Sequence, residues 1–363
     1  FIDYVKNQYQ VAYRRIDISI AFMQRSTEMT SKDGFCSYIT SLQFRNATYG
    51  KELREYIGER DIREIVNFQD LPVFEDATTY PGIITWRPKP VENKRTSYKE
   101  VQKLSSEIQS SLVNRSKHKK ITEYDVEIDP DNNWDFLSIE QQDVMEKLKE
   151  QNSLNSMAES RTGIISGNDG VFLFDPEKAE NSDIEDEIFL DVIRGSDPNR
   201  WDLSDPSKKV VYPYTSGDDG PELMDISELK SKYPNAFEYL KEHEDELRER
   251  QDSRDNLDSE SWYKLTRPGY LPAYRKEKIV TPGESKGNKF CIDNHGSGYS
   301  CARVFGVIPN QAEINTLLAQ LNSSAGEFFL HMVCPLKSGG YYSYSFDYLY
   351  QGSFSVENKK GLE

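Results

Sequence analysis

The chain has too little histidine and cysteine, in the wrong spacing, to build a recognisable metal or redox site. Its four histidines (His118, His243, His295, His331) form no HxxxH or HExxH pair, and its four cysteines (Cys36, Cys291, Cys301, Cys334) lie at least ten apart with no CxxC. Zinc ribbons and dithiol motifs therefore find no support, and no metal is expected. An even count in a long chain without a leader reads as four reduced thiols in a cytoplasm. No apolar run approaches the ~20 residues that span a bilayer, and no charged-then-apolar leader opens the sequence. Membrane and secreted readings are set aside, and a cytoplasmic location is expected. Positive charge is also scarce. Lys and Arg number 45 against 61 Asp and Glu, a net of −16. On average this argues against a nucleic-acid wrapper, because phosphate binding needs cations. Hydrophobic residues reach only 36% and mean hydropathy is −0.74, a very soluble surface over small cores. At about 150 residues per domain, 363 residues give two or three domains, long enough to fold without disulfides or metals.

What is present reads first as an α/β chain. Ala12, Ile16, Ile20 and Met23 form one apolar stripe, which predicts a helix over 8–29. Strands are predicted over 35–40, 62–68 and 82–86, with a helix over 49–56 stopped by Gly58. Helix, strand, helix, strand, strand is half of an α/β sheet. Beyond Pro90 the composition shifts. Residues 94–120 carry eight Lys or Arg against two Glu, and 261–289 carry seven against two. Residues 175–191 and 222–260 are acidic. An Asn310–Glu313 spacing predicts a capping box at the start of the last helix.

Several short motifs fail on their context. Gly283-Glu284-Ser285-Lys286-Gly287 matches a nucleophile elbow, but the following Asn288–Asp293 reads as extended rather than helical, so a basic hairpin loop is expected. Gly296-Ser297-Gly298 lacks the third glycine and the helix of a phosphate loop, and a β-turn is expected. Glu92-Asn93-Lys94 has nuclease-like ExK spacing without an upstream strand Asp. The segment 68–81 differs, because it places Phe74 and Tyr80 in a polar loop between two predicted strands, where α/β enzymes contact ligands. Anchoring the loop is the alternative role for Phe74.

The run Asp70-Leu71-Pro72-Val73-Phe74-Glu75-Asp76-Ala77-Thr78-Thr79-Tyr80-Pro81, with Tyr49-Gly50-Lys51-Glu52-Leu53-Arg54 upstream, resembles adenine-specific DNA methyltransferases of restriction–modification systems that carry a TaqI-like C-terminal specificity domain. The resemblance continues through Ile193-Arg194-Gly195-Ser196-Asp197, Tyr233 to Leu240, Trp262-Tyr263-Lys264-Leu265, Lys278 to Pro282 and Gly339-Gly340-Tyr341-Tyr342. It implies a partial Rossmann-like methyltransferase sheet followed by a mixed α/β target-recognition domain. It also implies double-stranded DNA as partner, with a nuclease fused or separate. The donor it implies is S-adenosylmethionine, held in the full-length enzyme by motifs that precede this region; neither they nor Asn-Pro-Pro-Tyr occur here. Phe1 is not an initiator Met and Leu362-Glu363 resembles a cloning remnant. The sequence is accordingly read as an inactive fragment with no bound donor.

The expected organisation is residues 1–92 as the later half of the catalytic domain, 93–160 as a basic linker with helices, 161–355 as the specificity domain, and 356–363 as a tail. By resemblance Phe74 stacks on a flipped adenine, with Tyr80 supporting its loop. Arg194 falls in a family motif, although Ser196 replaces a more usual Arg there. The DNA-binding candidates are Arg194, Lys264, Arg267, Lys276, Lys286 and Lys289, together with Lys117, Lys119 and Lys120, while the acidic stretches face solvent. The competing reading from another class is an acidic DNA mimic or partner-docking protein.

Overall fold

The structure, a computed structural model, describes residues 2–12, 17–74, 80–90, 95–161, 163–217, 220–250, 261–300, 303–310, 312–337, 339–350 and 353–354. It divides into two compact units, Phe1–Lys147 with Ser338–Gly340, and Leu148–Lys337 with Tyr341–Glu363.

The first unit begins with helices α1 (Ile2–Gln8) and α2 (Ile18–Met29). Of the helix expected over 8–29, the part from Ile18 to Met29 forms, whereas residues 9–12 are turn and coil and 13–16 lie outside the described residues. Asp17 stops the pattern from running through, because its carboxylate accepts the Ser19 N–H at 2.9 Å as an N-cap. Then follow β1 (Cys36–Ser41), α3 (Lys51–Gly58), β2 (Arg60–Asn67), β3 (Pro81–Pro90), β4 (Arg95–Val101), α4 (Ser106–Val113) and β5 (Ile121–Glu127). The strands form one sheet in the order β1-β3-β2-β4-β5. β3 runs antiparallel to both β1 and β2, which therefore point the same way, while β2 and β4 are parallel. A helix joins β1 to β2, and the hairpin strand β3 fills the gap they leave. Ile84 and Trp86 on β3 are buried between them, with the Trp86 indole donating to Thr27 Oγ1 at 3.0 Å.

The expected strands and the 49–56 helix are all found within a few positions. Residues 93–160 were expected to form a linker, but their described part supplies β4 and β5 to the sheet, and the unit boundary falls at 147/148. Counting Lys and Arg hid the alternation that makes these strands: Thr96, Tyr98 and Val101 are buried, and Tyr98 stacks on Phe136 with ring centroids 4.8 Å apart. Residues 91–94, with the ExK triplet, and the tail 356–363 lie outside the described residues.

The second unit holds two four-stranded sheets. One is built from β6 (Ala158–Arg161), β12 (Lys278–Pro282), β13 (Cys291–Asp293) and β15 (Val304–Pro309), in the order β13-β12-β15-β6. The other has β7 (Leu173–Phe174), β8 (Phe189–Ile193), β11 (Lys208–Val211) and β14 (Gly298–Tyr299), in the order β14-β8-β11-β7. Between β8 and β11 a small hairpin projects, β9 (Pro198–Asn199) and β10 (Asp202–Leu203). Helix α5 (Pro234–Glu242) buries Ala236, Phe237 and Leu240 against the second sheet's core. Helices α6 (Ile314–Leu321) and α7 (Ser324–Val333) pack Leu317, Leu321 and Leu330 with Ile279 and Val307 of the first.

Two local expectations change. Gly283–Gly287, expected as a basic hairpin loop and not an elbow, contains a short strand, Glu284–Ser285, with Ser285 buried opposite Tyr342. The cap of α6 is Glu313 rather than Asn310, its carboxylate accepting the Thr316 N–H at 2.7 Å and the Asn315 side-chain amide at 2.8 Å. These donors pull the Glu313 carboxyl from the usual 4.5 down to about 2. Its contribution to stability is therefore complete above about pH 4.5 and lost as pH falls toward 2. Thermal melts of wild type and Glu313→Gln should diverge at neutral pH and converge as that range is crossed.

The three cysteines among the described residues, Cys36, Cys291 and Cys334, are free and buried, and Cys301 lies outside them. Among the described residues no helix is long and apolar enough to cross a membrane, and no acidic, His or Cys group could hold a metal.

Candidate nucleic-acid interface

The β2–β3 connection is built to hold one aromatic clear of the core. At its start Gln69 takes a left-handed backbone (φ 52°) and donates its N–H to Asn67 Oδ1 at 2.8 Å, while Asn67 donates to Tyr98 Oη at 2.8 Å. Phe68 is buried, and Leu71 and Val73 pack half-buried against the same small cluster as Val66, Val101 and Ile108. Phe74 follows and is 43% exposed. Glu75–Thr79 lie outside the described residues, and the chain returns at half-buried Tyr80, whose carbonyl accepts the Leu42 N–H at 3.1 Å. Phe68, Leu71 and Val73 therefore carry the burial that secures the described start of this loop.

The upstream run 49–54 is structural. The buried Arg54 guanidinium donates to the carbonyls of Phe44 (2.6 Å), Ala47 (3.0 Å) and Asn132 (3.2 Å). At Gly50 a Cβ would come within 2.1 Å of the Phe44 carbonyl oxygen. This glycine lets the 44–50 turn close on itself and offers no cradle to a ligand.

The cations fall into two groups. In the first unit the α4–β5 turn exposes Arg115, Lys117, Lys119 and Lys120, none with an ion pair among the described residues. Arg115, with φ 50°, turns the chain, and the His118 carbonyl accepts the Ile121 N–H at 2.9 Å. Arg115, Lys117, His118 and Lys119 line a hollow of about 580 Å³ with Lys99, whose ammonium is engaged by Glu64 and Glu123.

In the second unit Lys286 and Lys289 are exposed, with the Lys286 ammonium 5.2 Å from the Tyr341 ring centre. Arg267 is exposed on a bridge to Ile165, and half-buried Lys264 gives its carbonyl to buried Arg250 at 3.0 Å. Lys276 pairs with Glu159 at 3.3 Å. Arg194 has only a 20% exposed side chain and lies 3.4 Å from Asp169, so part of its charge is already answered. It lines a hollow of about 340 Å³ with Asp169 and exposed Arg303, a cation the sequence reading missed. The motif around Arg194 is organised by buried Asp197, which accepts the Arg194 N–H at 2.7 Å and the Ser207 N–H at 3.1 Å.

Lys278, counted in the basic stretch, is not at the surface. Its ammonium donates to the Tyr274 carbonyl at 2.7 Å and to Asp293, both side chains 0% exposed. The acidic stretches are also partly answered. Asp175 pairs with Lys208, Glu244 with Lys241 and Arg248, and Glu185 receives the Asn235 and Ala236 N–H groups at the start of α5. Residues 251–260 lie outside the described residues.

This is a mixed α/β architecture of the kind found in restriction–modification methyltransferases. A sequence model for the Eco57I restriction-modification methylase family matches residues 1–74. Over 360 residues the chain is 25% identical to type II methyltransferase M.BstVI of Geobacillus stearothermophilus, covering 95% of this chain and 62% of that protein. It is 24% identical over 358 residues to the type II restriction enzyme and methyltransferase RM.Eco57I of Escherichia coli, covering 90% of this chain and 35% of the relative. The chain thus spans about three fifths of the first and a third of the second. Among solved structures, the type IIL restriction-modification enzyme MmeI in complex with DNA shares the fold, with a TM-score of 0.54 and 16% identity, over 93% of this chain and 41% of that one. Homologues of this chain are restriction–modification methyltransferases.

Proposed function

We propose that this chain binds duplex DNA and serves site-specific adenine methylation, its second unit reading the target and its first positioning a flipped adenine. Methyltransferases of this family use S-adenosylmethionine. The residues here supply binding and positioning, and the same enzyme system is served by a nuclease, fused or separate. The observation that carries the proposal is Phe74, exposed after a loop start whose burial is borne by Phe68, Leu71 and Val73. Chemistry on a base requires taking it out of the stack, and an exposed aromatic face compensates the lost stacking. The unpaired cations of the α4–β5 turn, with Lys264, Arg267, Lys286 and Lys289, supply phosphate contacts that do not depend on sequence. The DNA-mimic alternative is disfavoured because Asp175, Glu185 and Glu244 already spend their charge on lysines, an arginine and a helix start.

The test is the salt dependence of DNA binding. Each neutralised phosphate contributes about 0.9 to the log–log slope. Replacing Lys117, Lys119 and Lys120 by Ala, and separately Lys264, Arg267 and Lys289, should flatten that slope by up to about 0.9 per residue. Fluorescence anisotropy at several salt concentrations reads it. An unchanged slope and affinity in both triple variants would point to a partner other than DNA.

A further inference from the structure

Four non-glycine residues among those described have a left-handed backbone, and one of them is a tryptophan: Trp201, φ 73°. A bulky side chain there is an outlier, and such strain persists only where its surroundings impose it. The site is the two-residue turn of the β9–β10 hairpin, where Asn199 pairs with Asp202 and Pro198 with Leu203. Only Trp201, the second turn residue, lies in the left-handed region, a position that turns of this kind ordinarily give to Gly or Asn. The turn is held from below. The Trp201 N–H donates to the Phe290 carbonyl at 3.0 Å, and Arg200 bonds the Asn322 carbonyl and reaches Glu327 at 3.5 Å. Phe290 is itself fixed to buried Asn322 through its N–H (3.2 Å) and carbonyl (2.8 Å).

The indole remains 54% exposed, whereas Trp86, Trp134 and Trp262 are all buried. An exposed aromatic on a rigid, strained tip is suited to insert against a flat apolar face. Its neighbours select which face. Exposed Lys289 precedes Phe290, the residue that holds the turn, and has no ion pair among the described residues. Exposed Asp202 and Asp205, which follow Trp201 in the chain, repel phosphate but can accept a hydrogen bond from the amino group of a base.

We propose that Trp201 is a base-stacking residue of the target-reading surface, packing its ring on a base exposed or unstacked in bound DNA. This rests on the DNA-binding reading above. A stacked aromatic contributes about 5- to 150-fold in affinity. Trp201→Gly should weaken DNA binding by that factor. It should leave the melting temperature unchanged or raised, because glycine adopts a positive φ without strain. Trp201→Phe should keep much of the affinity. Because the other three tryptophans are buried, iodide quenching reports chiefly on Trp201, and saturating duplex DNA should protect the wild type and change its emission. A wild type that binds DNA with unchanged emission and iodide access, alongside a Trp201→Gly variant of equal affinity, overturns the assignment alone. A Trp201→Gly variant that binds poorly only because it melts early assigns the residue a structural role and overturns it as well. Failure of the wild type to bind DNA overturns the DNA-binding reading and this assignment with it.

Discussion

Phe74→Ala, in methylation-competent enzyme, should weaken stabilisation of the flipped adenine by about 5- to 150-fold, the equivalent of the 1–3 kcal/mol that a base–aromatic contact returns. Phe74→Trp should retain much of it, because any aromatic face can stack. Sequence preference should stay unchanged in both, since target reading is proposed for the second unit. Fluorescence of 2-aminopurine at the target position measures the flipped population directly. The competing role, a loop anchor, makes the opposite pair of predictions: normal flipping and a lowered melting temperature. Phe74 contributes little to the core, being 43% exposed beside a loop start secured by Phe68, Leu71 and Val73. The melting temperature of Phe74→Ala should accordingly stay close to wild type.

The largest stability effect is expected at Lys278 and Asp293. Breaking a fully buried ion pair by removing one partner costs about 3–5 kcal/mol, because the remaining charge is left without compensation. The two sides are not equivalent. Asp293 also accepts the backbone N–H groups of His295 at 2.9 Å and Ser297 at 3.2 Å, so Asp293→Ala orphans two further donors. Lys278→Met leaves those bonds in place and should be the milder change. Burial already pulls the Lys278 ammonium below its usual value, with Asp293 working against the shift. Without Asp293 the fold favours neutral lysine more strongly. The unfolded state then binds more protons between the depressed pKa and lysine's usual 10.5, so the stability of Asp293→Ala should recover as pH rises through that range. Urea unfolding of the two single variants at neutral and alkaline pH tests both the ranking and the sign.

These residues show what could be read before the fold was known. β1, β2 and β3 were legible because Cys36–Ser41, Arg60–Asn67 and Pro81–Pro90 carry β-branched and aromatic residues between clear breaks. The Phe74 loop was legible as a candidate because aromatics stood in a polar connection between strands. β4 and β5 were missed because their lysines and glutamates outweighed the alternation of Thr96, Tyr98 and Val126. A charge count treats every lysine as surface. It therefore counted Lys278 in the basic stretch 261–289, although a carboxylate fifteen positions away buries with it. Nothing in the order Asn199-Arg200-Trp201-Asp202 announces a hairpin, since the usual turn residues are absent from its tip. Arg303 meets Arg194 only through the fold, and no local spacing connects them.

The placement of β3 between β1 and β2 also dictates an order of assembly. Asn67 and Gly82, paired across β2 and β3, are 15 positions apart, whereas Ser41 and Pro81, paired across β1 and β3, are 40 apart. Closing the longer loop costs about 1 kcal/mol more in chain entropy. The hairpin is therefore expected to form before β1 docks onto its outer edge. The connection that carries Phe74 is the link closed at that earliest step. Substitutions in that connection are therefore expected to alter how quickly the chain folds.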